Sequence, residues 1–303
     1  MQYQITHLTS YDYSDPVGLC HNQLRMLPRN MMNANLHSTC HSAEVLISPA
    51  PTFRFEHTDY FGNRVLTFSI ERAHRRLSVT ASSRVEISIP EIDFGSDRRS
   101  WEDHLANLKA GTDENWLEIE EFTHPSPRIQ PSAIFQNYAQ HVFTPNRPLL
   151  ECAIALTQKI HDDFRYDPEA TQVDTTIEQV FETRAGVCQD FAQVQIACLR
   201  SLGLPAKYVS GYLRTNPPPG QSKKIGADES HAWVSLYAGH EIGWVDLDPT
   251  NCKPVDCDYI PTAIGRDYSE VSPMRGVAIG GGEATLTVSV NVEPVSDSKK
   301  LSP

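Results

Sequence analysis

The stretch "AGVCQDFAQVQIACLRSLG", residues 185–203, puts a cysteine where a helix should begin, two positions after a glycine. Apolar residues recur every three or four positions, at Phe191, Val194, Cys198 and Leu202, which predicts a helix with one buried face. Gly203 closes it and Pro205 follows. The first turn of a helix carries unpaired N–H groups and the positive end of the helix dipole. Both favour a thiolate, the reactive form of cysteine, and the same N–H groups can hold an oxyanion. Two readings therefore fit Cys188: a nucleophile, or the small buried apolar residue that a free cysteine commonly is. Cys152 and Cys198 suit the second reading, being mid-helix on apolar faces.

A nucleophilic thiol needs a base, and the base needs a group that orients it. With 12 histidines in the chain, residue type alone selects nothing; geometry must. "HAWVSLYAGHEIGWVDLDPT", residues 231–250, reads as two alternating strands around a short turn. With Gly239 and His240 as the centre of a two-residue type II′ hairpin, Ala238 faces Glu241 and His231 faces Asp248 across the ladder. His231, Trp233, Ser235 and Tyr237 then share one face with Trp244, Asp246 and Asp248. Asp248 would fix the tautomer of His231 and stabilise its charged form. The other reading is a surface ion pair of small energetic value, and a one-residue slip would undo the pairing. Asp246 is the rival carboxylate. Asp248 is preferred because it stands opposite His231 and Pro249 ends the strand there. Asp190 lies in the first turn of the Cys188 helix, where an acid also suits the dipole, and reads as structural or supporting.

The elements that must position these residues fall into three parts. Residues 1–95 alternate polar and apolar positions in several short runs separated by Pro, Gly and Asn, which predicts a β-sandwich-like or barrel-like domain. Residues 96–145 begin acidic and helix-leaning, then break at "THPSPRIQPS"; they read as a linker or strap. Residues 146–303 carry helices first, at about 149–164, 175–186 and 188–202, and then strands at 206–215, 231–238, 243–250 and 284–294. Helices grouped before strands imply an α+β catalytic domain with a C-terminal strand. The segment 216–224, "NPPPGQSKK", is a loop expected to border the cleft and select substrate. A length of 303 residues suits two domains.

A net charge of −12 argues against a nucleic-acid partner, whose binding rests on clustered Lys and Arg. The N-terminus lacks the basic and apolar blocks of a signal peptide, and no apolar run approaches a membrane span, so no membrane association is expected. Seven irregularly spaced cysteines fit a reduced, cytoplasmic setting. Cys252 and Cys257 lie close together, but no second pair completes a zinc pattern.

Three segments together resemble the transglutaminase-like superfamily, a papain-like α+β fold: "TRAGVCQDFAQVQIACLRSLGLPAKYVSGYL", "SHAWVSLY" and "GWVDLDPTN". The resemblance implies Cys188 as nucleophile, His231 as base and Asp248 as the residue that orients it. The hairpin count selects the same His and Asp. "YQITHLTSYDYSDPVGLCHNQLRMLPR" resembles the N-terminal β-domain of bacterial transglutaminase-like proteins, so the likeness spans nearly the whole chain. It also implies an aromatic oxyanion donor upstream of the nucleophile, and "FRYDP" offers Tyr166 for that role, the other reading being a packed tyrosine. Where relatives often carry His or Leu, Gln193 follows "QDFA". The family holds transglutaminases, peptidases, amidases and inactive members; here all three triad positions are filled. The expectation is thiol-dependent acyl transfer on a peptide or protein amide, with hydrolysis ahead of isopeptide formation, and a non-enzymatic scaffold as the competing class. This chemistry requires no metal or organic cofactor, and no acidic loop marks a calcium site. The N-terminal domain is the part expected to meet any protein partner.

Overall fold

The computed structural model describes all residues except Ser96, 112–114, 216–227 and 296–303; the loop at 216–224 therefore lies outside the described residues. The N-terminal strands are β1 (Gln2–Leu24), β2 (Met31–Asn33), β3 (Leu36–Ser48), β4 (Phe53–Thr58), β5 (Arg64–Ile70) and β6 (His74–Ser88). Helices α1 (Trp101–Ala110), α2 (Trp116–Glu120), α3 (Ala133–Gln140) and α4 (Leu149–Asp163) follow. Then come β7 (Arg165–Tyr166), α5 (Ile177–Thr183), β8 (Ala185–Gly186) and α6 (Cys188–Ser201). The chain continues through β9 (Ala206–Leu213), β10 (Glu229–Tyr237), β11 (Trp244–Asp248), β12 (Lys253–Pro254) and β13 (Tyr259–Gly265). It ends with α7 (Tyr268–Val271), β14 (Met274–Gly280) and β15 (Ala284–Pro294).

β1 is the spine of an eight-stranded antiparallel sheet. Its first half pairs with β6 and its second half with β5, and the β6 ladder breaks between Asp12 and Val17, around Pro16. Proline has no N–H to give the ladder, and the extra residues bend the strand. The bend folds the sheet over itself. Val45 of β3 and Leu77 and Val79 of β6 share one core with Leu24 of β1 and Leu66 and Phe68 of β5. The expected sandwich is thus one continuous sheet, closed by a bend.

The second sheet has the order β12-β11-β10-β9-β13. Its apolar residues alternate between two cores. Ala206, Tyr208, Ala232, Val234, Leu236, Val245 and Leu247 meet α6 and the helices around it. Val209, Tyr212, Trp233 and Tyr259 meet Tyr3, Ile5, Val290 and Val292 of the first sheet. A sheet buried on both faces must be apolar on both, which is why β9 and β10 carry near-continuous apolar runs.

Two of the expected boundaries differ from the structure. Among the described residues the strap over 96–145 contains α1, α2, a short 3-10 helix (Glu121–Thr123) and α3, and Phe135, Tyr138 and Ala139 of α3 sit in the α6 core. The C-terminal strand assigned to the catalytic part belongs to the N-terminal sheet: β15 pairs with β1 from Tyr3–Pro294 to Tyr13–Ala284, and β14 pairs with the other half of β1. Its alternation buries Val290 and Val292 only if an open sheet edge receives it, and β1 supplies that edge.

Candidate active site

α6 begins at Cys188, after Val187 in an extended conformation. Asp190 turns back on this end: its Oδ2 accepts from the Val187 N–H at 2.9 Å and from the Thr171 hydroxyl at 2.7 Å. Burial pushes the Asp190 carboxyl up, while these two hydrogen bonds pull the other way. Asp190 is therefore structural: it fixes the turn that presents Cys188. The turn needs glycine just before it, since a Cβ on Gly186 would stand 2.5 Å from Asp190 Oδ2. The rest of α6 is buried from Asp190 to Arg200, which makes it a rigid mount. At its far end Arg200 donates to the carbonyls of Phe122, Ala206 and Arg266, tying helix, strap and sheet together.

The half-buried Cys188 thiol lies near enough to the buried His231 ring, at the start of β10, for its charge to favour the imidazolium. His231 Nε2 lies 2.8 Å from Asp248 Oδ2, which leaves Nδ1 as the nitrogen for the thiol. Burial pulls the His231 imidazolium down, but the Cys188 charge and the Asp248 hydrogen bond outweigh it and push the pKa up to about 10. Asp248 is fully buried, yet its pKa falls below the usual carboxylate value. Burial raises it, and the hydrogen bonds from His231, Tyr259 and Asn251 reverse the sign. Five donors converge on this carboxylate: His231 Nε2, the Tyr259 hydroxyl at 2.6 Å, Asn251 Nδ2 at 2.7 Å, and the N–H groups of Thr250 and Asn251. The Trp233 and Tyr259 rings flank the imidazole at centroid distances of 6.5 and 5.8 Å.

His231 and Asp248 lie 2.8 Å apart, but the hairpin that joins them differs from expectation. Ser235 pairs with Asp246 and Tyr237 with Trp244, and the Ala238 N–H closes on the Gly243 carbonyl. The turn therefore spans Gly239 to Ile242, with both Gly239 and Gly243 at positive φ. The register is shifted by two residues from the one a two-residue turn imposes. A shift of two keeps every side chain on its face, whereas a shift of one would have separated them. Continuing the ladder sets Asp248 across from Trp233, and His231 reaches it diagonally.

Asp246 is occupied elsewhere. It is fully buried and accepts from Asn33 Nδ2 at 3.0 and 3.1 Å, and its burial pushes the pKa up to about 6. Tyr166 sits on β7, which runs parallel to β8 with Tyr166 beside Gly186. It is 47% exposed and its ring meets Phe191 at 6.4 Å, so it stands next to the strand that delivers Cys188. Residue spacing alone did not reveal Tyr259 and Asn251. Asn251 follows "DPT" directly, and an Asn in such a turn is a signal for side-chain capping. Tyr259 arrives from another strand, and nothing in its local sequence marks it.

Residues 3–86 match the bacterial transglutaminase-like N-terminal region, and residues 136–249 match the transglutaminase-like superfamily. Cys188, His231, Asp248 and Tyr166 all lie inside the second match. The chain is 38% identical over 300 residues to an uncharacterized protein of Mycobacterium tuberculosis H37Rv, covering 97% of this chain and 93% of that one. A protein-glutamine gamma-glutamyltransferase of Pseudomonas aeruginosa is 31% identical over 156 residues, half of this chain and 22% of that one. In fold, the chain resembles the crystal structure of a "putative cysteine protease" from Cytophaga hutchinsonii, with a TM-score of 0.76, 21% identity and coverage of 100% and 93%. The chain belongs to the transglutaminase-like superfamily, a family of thiol-dependent acyl transfer, and joins a papain-like α+β core to a bacterial transglutaminase-like N-terminal region.

Proposed function

We propose that this protein cleaves amide bonds through a Cys188–His231–Asp248 triad and a thioester acyl-enzyme. The observation that carries this reading is the buried His231, 2.8 Å from Asp248 and close enough to Cys188 to feel its charge. The Cys188 thiolate attacks the amide carbonyl. The N–H groups at the start of α6, with Tyr166 as a second donor, hold the oxyanion. His231 gives its proton to the leaving amine as the C–N bond breaks and the thioester forms. His231 then takes a proton from water as the water attacks the thioester, and the acid product leaves with the thiolate restored. Asp248 keeps Nε2–H pointed at itself throughout, so Nδ1 stays aimed at the thiol.

Hydrolysis is the favoured outcome because water is abundant and no group among the described residues marks an amine subsite. The second reading, isopeptide formation with a primary amine as acceptor, is favoured by the stretch shared with the Pseudomonas gamma-glutamyltransferase. Mass spectrometry of glutamine-containing peptides, incubated with and without a lysine analogue, separates them. An acid product in both cases supports hydrolysis, and an amine adduct replacing it supports transfer. Turnover that survives Cys188→Ala would refute both. The β-rich N-terminal unit is the surface we assign to any protein partner.

A further inference from the structure

At the end of the second sheet remote from Cys188, a cavity of about 430 Å³ opens between the N-terminal sheet, the strap and β9–β11. Lys207 of β9 faces Ser235, four residues along β10 from His231, so the cavity lies about 13 Å from the triad at ordinary strand rise. Nothing in the acyl-transfer chemistry uses it.

Lys207 forms the floor. Its Nζ sits 3.5 Å from the Trp244 ring centroid and 4.9 Å from that of Phe122. It makes no ion pair or hydrogen bond among the described residues. Burial pushes its ammonium down to about 7, with the Arg29 guanidinium adding to the push and Asp246 and Glu118 opposing it. Asp246, behind it, is already held by Asn33. Arg29 donates to the Phe61 carbonyl and to Asn63 Oδ1, and its buried Nε has no partner. Phe61 and Tyr237 complete the aromatic walls. At the mouth, Glu121 is engaged by Arg266 at 4.0 Å, while Glu118 is exposed.

A cation at the floor, aromatic rings between and a carboxylate at the mouth select a particular chemistry. A plain organic anion would meet Glu118, and a plain cation would meet Lys207. A zwitterion with an apolar ring satisfies both ends, and the volume falls at the small-molecule end of ligand sites. We propose that this cavity binds an aromatic α-amino acid, its carboxylate on Lys207, its ammonium toward Glu118 and its ring against Trp244 and Phe122.

Calorimetry on the full chain tests this with L-phenylalanine, 3-phenylpropionate and phenethylamine as probes. The expected result is saturable L-phenylalanine binding, with each single-charge analogue about tenfold weaker or worse, the usual cost of one lost charged hydrogen bond. Lys207→Met should weaken L-phenylalanine by a similar factor and Glu118→Gln by less, while Cys188→Ala leaves binding intact. Glu118 is exposed and the analogue series needs no mutation, so a folding defect in Lys207→Met does not decide the outcome. Absence of saturable binding at millimolar L-phenylalanine would overturn the proposal. So would equal affinity for the three probes, or loss of binding in Cys188→Ala.

Discussion

The sheet of β9, β10 and β11 sets a base near a carboxylate at two places, and the two behave oppositely. At one, His231 and Asp248 touch at 2.8 Å; the base is pushed up to about 10 and the acid is held below its usual value. At the other, Lys207 of the adjoining β9 and Asp246 are near but not hydrogen-bonded; the base is pushed down to about 7 and the acid up to about 6. Burial disfavours the charged form of all four groups, so burial alone does not set the sign. The difference lies in direct contact and in the donors around the carboxylate. Asp248 receives five, which stabilise its charge, while Asp246 relies mainly on Asn33 and Ser235. The first place is built to keep an ion pair charged. The other disfavours charge while no counter-ion is present, so a bound carboxylate would favour the Lys207 ammonium.

The largest effect should follow from breaking the charged end. Asp248→Asn keeps the shape, removes the charge and changes what Nε2 can donate to. Thioester formation at Cys188 should fall by about 10⁴-fold, the scale seen when a triad carboxylate is neutralised. The His231 pKa should drop as well, read by NMR titration. Unchanged acylation would mean that Asp248 is only a packing residue.

Gly186→Ala attacks the mount and leaves the triad itself in place. Its Cβ would fall 2.5 Å from Asp190 Oδ2, so the cap must move. A loss of about 1–3 kcal/mol in urea unfolding is expected, together with slower thiol alkylation. Wild-type stability would show that the Asp190 turn is loose.

Tyr259→Phe removes one donor from Asp248 and nothing from His231. The expected cost is about 1.5–3 kcal/mol, because the acceptor is charged, with the Asp248 pKa rising. No change in stability would show that the remaining donors suffice.

The smallest effect compares the two bases through pH. His231 holds its proton more tightly folded than unfolded. Its contribution is therefore full below about 6.5, the ordinary histidine value, and is lost as pH rises toward about 10. Lys207 holds its proton less tightly when folded, so stability rises with pH from about 7 to its ordinary 10.5. The two slopes oppose one another. Lys207→Met removes the rising one, and its stability should decline more steeply than wild type between pH 7 and 10. An identical slope in chemical denaturation would place the Lys207 ammonium in a solvated environment.

Much of this was legible in the chain, for physical reasons that differ by element. The Cys188 turn is local: a glycine, a thiol and an acid within one helical turn. The shared face of His231 and Asp248 follows from strand alternation, which survives a shift of two. The register did not, because "AGHEIG" offers glycines at 239 and 243 and only the folded backbone shows both at positive φ. The pairing of β14 and β15 with β1 joins residues at least 250 apart, and alternation says that a strand exists without saying which edge receives it. Tyr259 reaches Asp248 across strands for the same reason, and so left no trace in spacing.

The central proposal is that His231 acts as the base for a nucleophilic Cys188. The most direct test is the rate of iodoacetamide alkylation at Cys188 against pH, mapped by peptide, in wild type and His231→Ala. The account predicts rapid alkylation at mildly acidic pH, faster than at half-buried Cys40 and Cys257, and a loss of about tenfold or more in the variant. A slow reaction that His231→Ala leaves unchanged would contradict it and favour a non-enzymatic scaffold.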